Sequence, residues 1–150
     1  MDEATTIRRL AAESFNKVWE LLDKPQRSTD EDDAMLHGAH ASRYLWGMVG
    51  EPVNLARGEW QVSRVYAVLK RPEQARYHAQ RCLDICLANG IGDFDLAYAY
   101  EALARTFAIA GDASQRDKFF QLAVQAGQLI ADADDKKLFE SDLSSIPDLE

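Results

Sequence analysis

The sequence predicts an all-α fold of about seven helices, on three observations. Apolar residues recur three and four apart along nearly all of the 150-residue chain. The breaks between these runs are short and rich in residues that stop or start helices, and no period-two run or β-hairpin signal competes with them.

The first helix is expected from Thr6 to Asp23, with Ile7, Leu10, Ala11, Phe15, Val18 and Leu22 at helical spacing and Pro25 just beyond its end. After the polar loop KPQRSTDEDD, Ser28, Thr29 and Asp30 offer N-caps for a helix over 31–49, whose acidic first turn complements the positive end of its dipole. GEP at 50–52 closes that helix and opens one over 53–69. KRPE makes the next turn, with Pro72 suited to a first helical position, and the following helix ends at Asn89-Gly90. IGDFD leads into a helix to Ala110, with Asp93 or Asp95 as its cap. Gly111-Asp112 breaks the pattern, a helix over 113–130 follows, and a shorter one over 133–143 precedes a tail, 144–150, that contains Pro147.

A shift of 41 residues superimposes two of these helix pairs. Ser63, Tyr66, Ala75 and Cys82 fall on Ala104, Phe107, Arg116 and Ala123, and the turns align with LKRPEQA over IAGDASQ at one residue less. The shift of 41 also sets Ala34, Gly38 and Ala41 against Ala75, Ala79 and Cys82, and the first helix of that pair would then offer Ala12 and Phe15, displaced by the longer loop. This pattern resembles a tetratricopeptide (TPR) repeat, which implies three antiparallel helix-turn-helix pairs, 6–49, 53–89 and 94–131, in a TPR-like superhelix within one domain, with 133–143 as a C-terminal capping helix. The pattern departs from the usual repeat of about 34 residues: the spacing is longer, Lys70 replaces a turn glycine, and Arg116 stands where a small residue belongs.

The formal net charge of −8 argues against nucleic acid as a partner, because phosphate contacts need a cationic surface. No stretch approaches the ~20 apolar residues of a membrane span, MDEATTIRRL is not a secretory leader, and a cytoplasmic location is expected. Cys82 and Cys86 lie four apart on a helix, at the edge of what a disulfide permits, and read as reduced, buried side chains. The charge is uneven. Residues 52–82 hold six basic against two acidic side chains, so this window is +4 and the rest of the chain −12.

Three constellations compete for function. On the helix over 53–69, Asn54, Arg57, Gln61 and Arg64 fall within about an 80° arc bordered by Trp60. The TPR resemblance implies that Arg57, Trp60 and Arg64 face a concave groove, with Tyr98, Glu101 and Arg105 as their equivalents one unit on. Such a groove would hold an acidic peptide or partner helix without catalysis or cofactor. The alternative is that the arginines pair internally with Glu59, Glu101 or the acidic loop, or simply solvate an outer face.

The second constellation, Asp33, His37, His40 and Tyr44 on HGAHASRYLW, would suit a small-molecule or metal-binding sensor or enzyme. It lacks a full ligand set, and no HExxH or CxxC motif completes it. The expected arrangement packs Ala34, Gly38, Ala41, Leu45 and Met48 against a neighbour, with the histidines beside that stripe. His78 and Cys86 lie ~12 Å apart along a helix axis and cannot share an ion. Third, Phe119, Phe120, Leu122, Leu129 and Ile130 could join two copies into a homodimer where the array stops. A helix-turn-helix DNA binder built on Arg64, Lys70, Arg71 and Arg76 lacks the glycine such a turn needs.

Overall fold

The structure, a computed structural model, describes residues 2–149. It is all-α. Among the described residues there are seven helices and no strand: α1 (Glu3–Leu22), α2 (Thr29–Val49), α3 (Pro52–Val68), α4 (Pro72–Ala88), α5 (Asp93–Ala110), α6 (Ala113–Gln128) and α7 (Ala133–Ser144). None of them is long and apolar enough to cross a membrane.

The helix ends follow local chemistry. Asp2 accepts from the Thr5 amide at 2.7 Å, Asp112 from Gln115 at 3.1 Å and Asp132 from Asp135 at 2.8 Å. Ser28 and Glu31 form a reciprocal capping box, which starts α2 two residues earlier than expected. Neither Asp93 nor Asp95 caps α5. Gly92 takes that position, while the Asp93 carboxylate accepts from the amides of Phe94 and Ala131 and ties the start of α5 to the turn before α7.

At the ends of α3 and α5, Lys70 and Gly111 occupy the left-handed region (φ 62° and 78°), and the amides of Arg71 and Asp112 return to the carbonyls of Tyr66 and Phe107 at 2.9 and 3.0 Å. Both are Schellman closures, 41 residues apart. The lysine therefore sits where a glycine would be free of strain.

Neighbouring helices pack in pairs, α1 with α2, α3 with α4 and α5 with α6. Consecutive odd-numbered helices also approach closely (α1 with α3, α3 with α5, α5 with α7), whereas the backbones of α2 and α4, and of α4 and α6, stay farther apart. The odd-numbered helices thus form the tighter layer. Small side chains permit the close packing: Ala56 and Ala97, Ser63 and Ala104, and Cys82 and Ala123 are all buried, each pair 41 residues apart.

The first pair is offset differently. Met35, Ala39 and Ser42 are the buried residues of α2, 40 residues before Ala75, Ala79 and Cys82. The expected stripe of Ala34, Gly38, Ala41, Leu45 and Met48 is rotated by one residue, so Ala34, Ala41 and Met48 are exposed. Ser42 can take the buried position because its hydroxyl donates to the Ala11 carbonyl at 2.9 Å. Ser63 does the same to Ala75 at 2.8 Å in the next pair.

Candidate functional site: a cleft between the odd-numbered helices

The sequence sets aromatic residues on the inner faces of α1, α3 and α5, and the tighter layer brings them together. A cleft of about 680 Å³ opens there. Its floor is a run of rings: Phe15 and Trp19 from α1, Trp60 from α3, and Phe94 and Tyr98 from α5. The Trp60 centroid lies 5.2 Å from Trp19 and 5.3 Å from Tyr98, and Tyr98 lies 4.7 Å from Phe94. Ala56 and Cys82 line it between these rings, and α7 contributes Asp135, Leu138 and Asp142.

The charged residues of the lining are Arg57 and four carboxylates, Asp23, Asp95, Asp135 and Asp142. Arg57 is held bidentately by Asp95, at 2.9 and 3.1 Å. That hydrogen bonding outweighs partial burial and raises the guanidinium pKa further. The Tyr98 hydroxyl donates to Asp142 at 2.5 Å, and burial, then this bond, push the phenol far above its ordinary range. Its hydrogen bond with Cys86, then burial, push the Cys82 thiol up, so it stays protonated at neutral pH. Both cysteines are free and buried.

Of the residues expected in a basic groove, Arg57, Trp60 and Tyr98 line this cleft. Arg64 and Arg105 lie beside it, at 3.3 and 2.7 Å from the fully buried Glu101, and the Arg64 guanidinium sits 5.4 Å from the Trp60 centroid. All three arginines are therefore internally paired, Arg64 and Arg105 through Glu101, which the alternative named, and Arg57 through Asp95, which it did not. The carboxylates outnumber the guanidinium in the lining, so the cleft is acidic rather than basic.

Gln61 does not reach the cleft as a ligand. It is fully buried and donates to the Phe15 carbonyl at 3.0 Å, bracing α3 against α1. Asn54 caps α3, accepting from the Glu51 amide at 2.9 Å, and borders a smaller hollow of about 160 Å³ with Trp46 and Arg57.

No family model, curated protein or solved structure matches the chain. Its chemistry is read from its own geometry.

The histidines sit elsewhere. His40 Nε2 lies 2.9 Å from the Tyr66 hydroxyl, and its ring is 5.5 Å from that of His78, whose Nδ1 lies 3.0 Å from Glu59. Arg43 stands 3.7 Å from the same carboxylate. His40 thus turns toward α3 and α4, while Asp33 and His37 are exposed. Among the described residues no three His, Cys, Asp or Glu side chains are placed to hold one metal ion. The Asp33, His37 and His40 site is not assembled: Asp33 and His37 stay exposed, and His40 turns instead to Tyr66 and His78.

The expected apolar end is also largely covered. Ile130 is buried, Phe119 stacks on Phe107 at 5.6 Å, and Arg116 lies over Phe120 at 4.3 Å. Leu129 stands well exposed.

The sequence reading missed Phe15, Trp19, Phe94, Asp95 and the α7 carboxylates as site residues. Phe15 carried a signal as the aromatic of the first unit, but it was read as packing. Asp95 was read only as a cap.

Proposed function

We propose that the chain is a non-catalytic interaction module of TPR-like type, and that the cleft between α1, α3, α5 and α7 receives a short segment of a partner protein. The observation that carries this reading is the cleft itself: about 680 Å³, within the range of ligand pockets, with a continuous aromatic floor supplied by three helices. Large, rigid side chains of this kind give binding area at low entropic cost. The protonatable groups here suit holding rather than reacting, since Tyr98 and Cys82 keep their protons. The two reduced, buried cysteines suit the cytoplasm.

The test is selection of a random heptapeptide library on the immobilised protein, followed by amide and indole chemical-shift mapping with the enriched peptides. The expected result is a recurrent motif whose binding moves the Trp19 and Trp60 indole resonances and leaves Trp46 nearly still. Failure to enrich any motif, or shifts confined to α2 and α4, would overturn it.

A further inference from the structure

The cleft combines two features that select a ligand by chemistry. One is the aromatic floor, whose ring faces carry negative potential and attract cations. The other is its charge. Asp95 is already neutralised by Arg57, and Asp142 accepts from Tyr98, but the carboxylates of Asp23 and Asp135 have no hydrogen-bond or salt-bridge partner among the described residues. They come from opposite ends of the chain, the C-cap of α1 and the first turn of α7, and meet in one lining.

The protein itself places a cation here, since Arg57 crosses from α3 to Asp95 on α5 at the cleft. Arg57 acts on Asp135 only through space, so an anionic segment would meet an excess of carboxylates, to which a neutral apolar one would bring no counter-charge.

Resting on the reading of this cleft as a peptide site, we infer that its occupant is a basic side chain, lysine or arginine, of a partner segment, with the aliphatic stem against Trp19 and Trp60 and the charged head toward Asp23 and Asp135. Long basic side chains match such a lining because their stems bury against apolar surface while the head keeps polar contacts. The overall charge of −8 favours approach of such a segment over long range. The inference reverses the charge of the partner that the arginines on α3 suggest in the sequence.

The experiment uses the full chain and the heptapeptides enriched on it. Each peptide is synthesised with its basic residue intact and replaced by norleucine, which keeps the stem and removes the charge, and is titrated against the protein and against the Asp23→Asn/Asp135→Asn variant. Neither carboxylate takes part in an internal pair, and the variant's fold is checked by circular dichroism and thermal unfolding.

The expected result is enrichment of lysine or arginine, roughly tenfold weaker binding on replacement by norleucine, a comparable loss in the double variant, and weakening with salt. Enriched peptides without a basic residue, or norleucine versions that bind equally well, would overturn the inference and leave the cleft reading standing. A library that yields no motif would overturn both. Free spermidine is the remaining arm: micromolar binding of spermidine with no peptide motif would show that the occupant is a free amine and overturn the peptide source.

Discussion

The pair α3–α4 and the pair α5–α6 carry corresponding residues 41 apart and solve the same packing problem with different chemistry. Trp60 in the first corresponds to Glu101 in the second, Cys86 to Gly127, Lys70 to Gly111 and Tyr66 to Phe107. Where the residues are small and apolar, as at Ala56 and Ala97, the two pairs are interchangeable in kind. Where they differ, the second pair is specialised for what lies beyond it. Glu101 gathers Arg64 from the pair before and Arg105 from its own helix, and Gly127 makes room for α7. Backbone architecture is thus set by the small residues, and the site by the exceptions to them.

The largest expected effect comes from breaking the exception at Glu101. This side chain is fully buried, and one of its oxygens serves both arginines. Glu101→Ala leaves two largely buried guanidiniums without a counter-charge, and the expected loss is about 3 to 5 kcal/mol of unfolding free energy in urea titrations. Replacing the whole triad (Glu101→Leu with Arg64→Met and Arg105→Met) should restore most of that, because well-packed apolar side chains often match a buried ion pair. A single variant as stable as the native chain would show that the carboxylate is not what couples α3 to α5.

Next comes the contact that seats α7. A Cβ on Gly127 would lie 2.5 Å from Phe139 Cε2, and Phe139 is itself buried against Tyr98 at 5.0 Å between ring centroids. Alanine improves helix propensity by up to about 1 kcal/mol, but overpacking costs about 1 to 3. Gly127→Ala should therefore lose about 1 kcal/mol net and loosen α7, read as faster amide exchange across 133–144. Because α7 supplies Asp135 and Asp142 to the cleft, peptide binding should weaken with it. A more stable variant with α7 still protected would refute this account of the glycine.

At the closure of α3 the effect reverses. Lys70 stands at φ 62° where the equivalent Gly111 stands at 78°. Lys70→Gly should stabilise by about 0.5 to 1 kcal/mol, the left-handed strain of a side chain offset in part by the greater freedom of glycine when unfolded. A loss of stability would mean that the lysine makes contacts which the closure alone does not explain.

The sequence made these differences legible only where they are local. Prolines 52 and 72, Gly111 and the capping aspartates mark helix ends because each acts within a turn of its own position. Lys70 could be read as a replaced glycine for the same reason. The buried stripe of α2 was displaced by one residue because Gly38-Ala39 and Ala41-Ser42 are small side by side, so spacing alone does not choose between them. The buried serine became readable only with its carbonyl partner on α1 in view. The cleft was half legible: Arg57 falls on the polar arc that helical spacing identifies, Trp60 borders it, and Tyr98 stands 41 residues after Arg57. Its charge was not. The partners Asp95, Glu101 and Asp142 lie 37 to 44 residues away from Arg57, Arg64 and Tyr98. No periodicity announces such a pairing, and the +4 window counted residues near in sequence rather than near in space.

The smallest effect sharpens the contrast of Tyr66 with Phe107. Only the tyrosine has a hydroxyl, and it pairs with His40, whose ring faces His78 on α4, with Glu59 beyond it and His37 on its own helix. Burial, then the nearby His78, lower the His40 pKa below its ordinary value near 6.5. The folded chain therefore binds fewer protons at this site than the unfolded chain does, so stability from this group is intact above about pH 6.5 and declines as pH falls from there toward the lowered value. His40→Gln keeps a hydrogen-bonding group near Tyr66 and removes the titration. Its unfolding free energy should fall less steeply than that of the native chain between about pH 6.5 and 5. An unchanged slope would place the acid sensitivity in other groups, and would leave the histidine a packing residue.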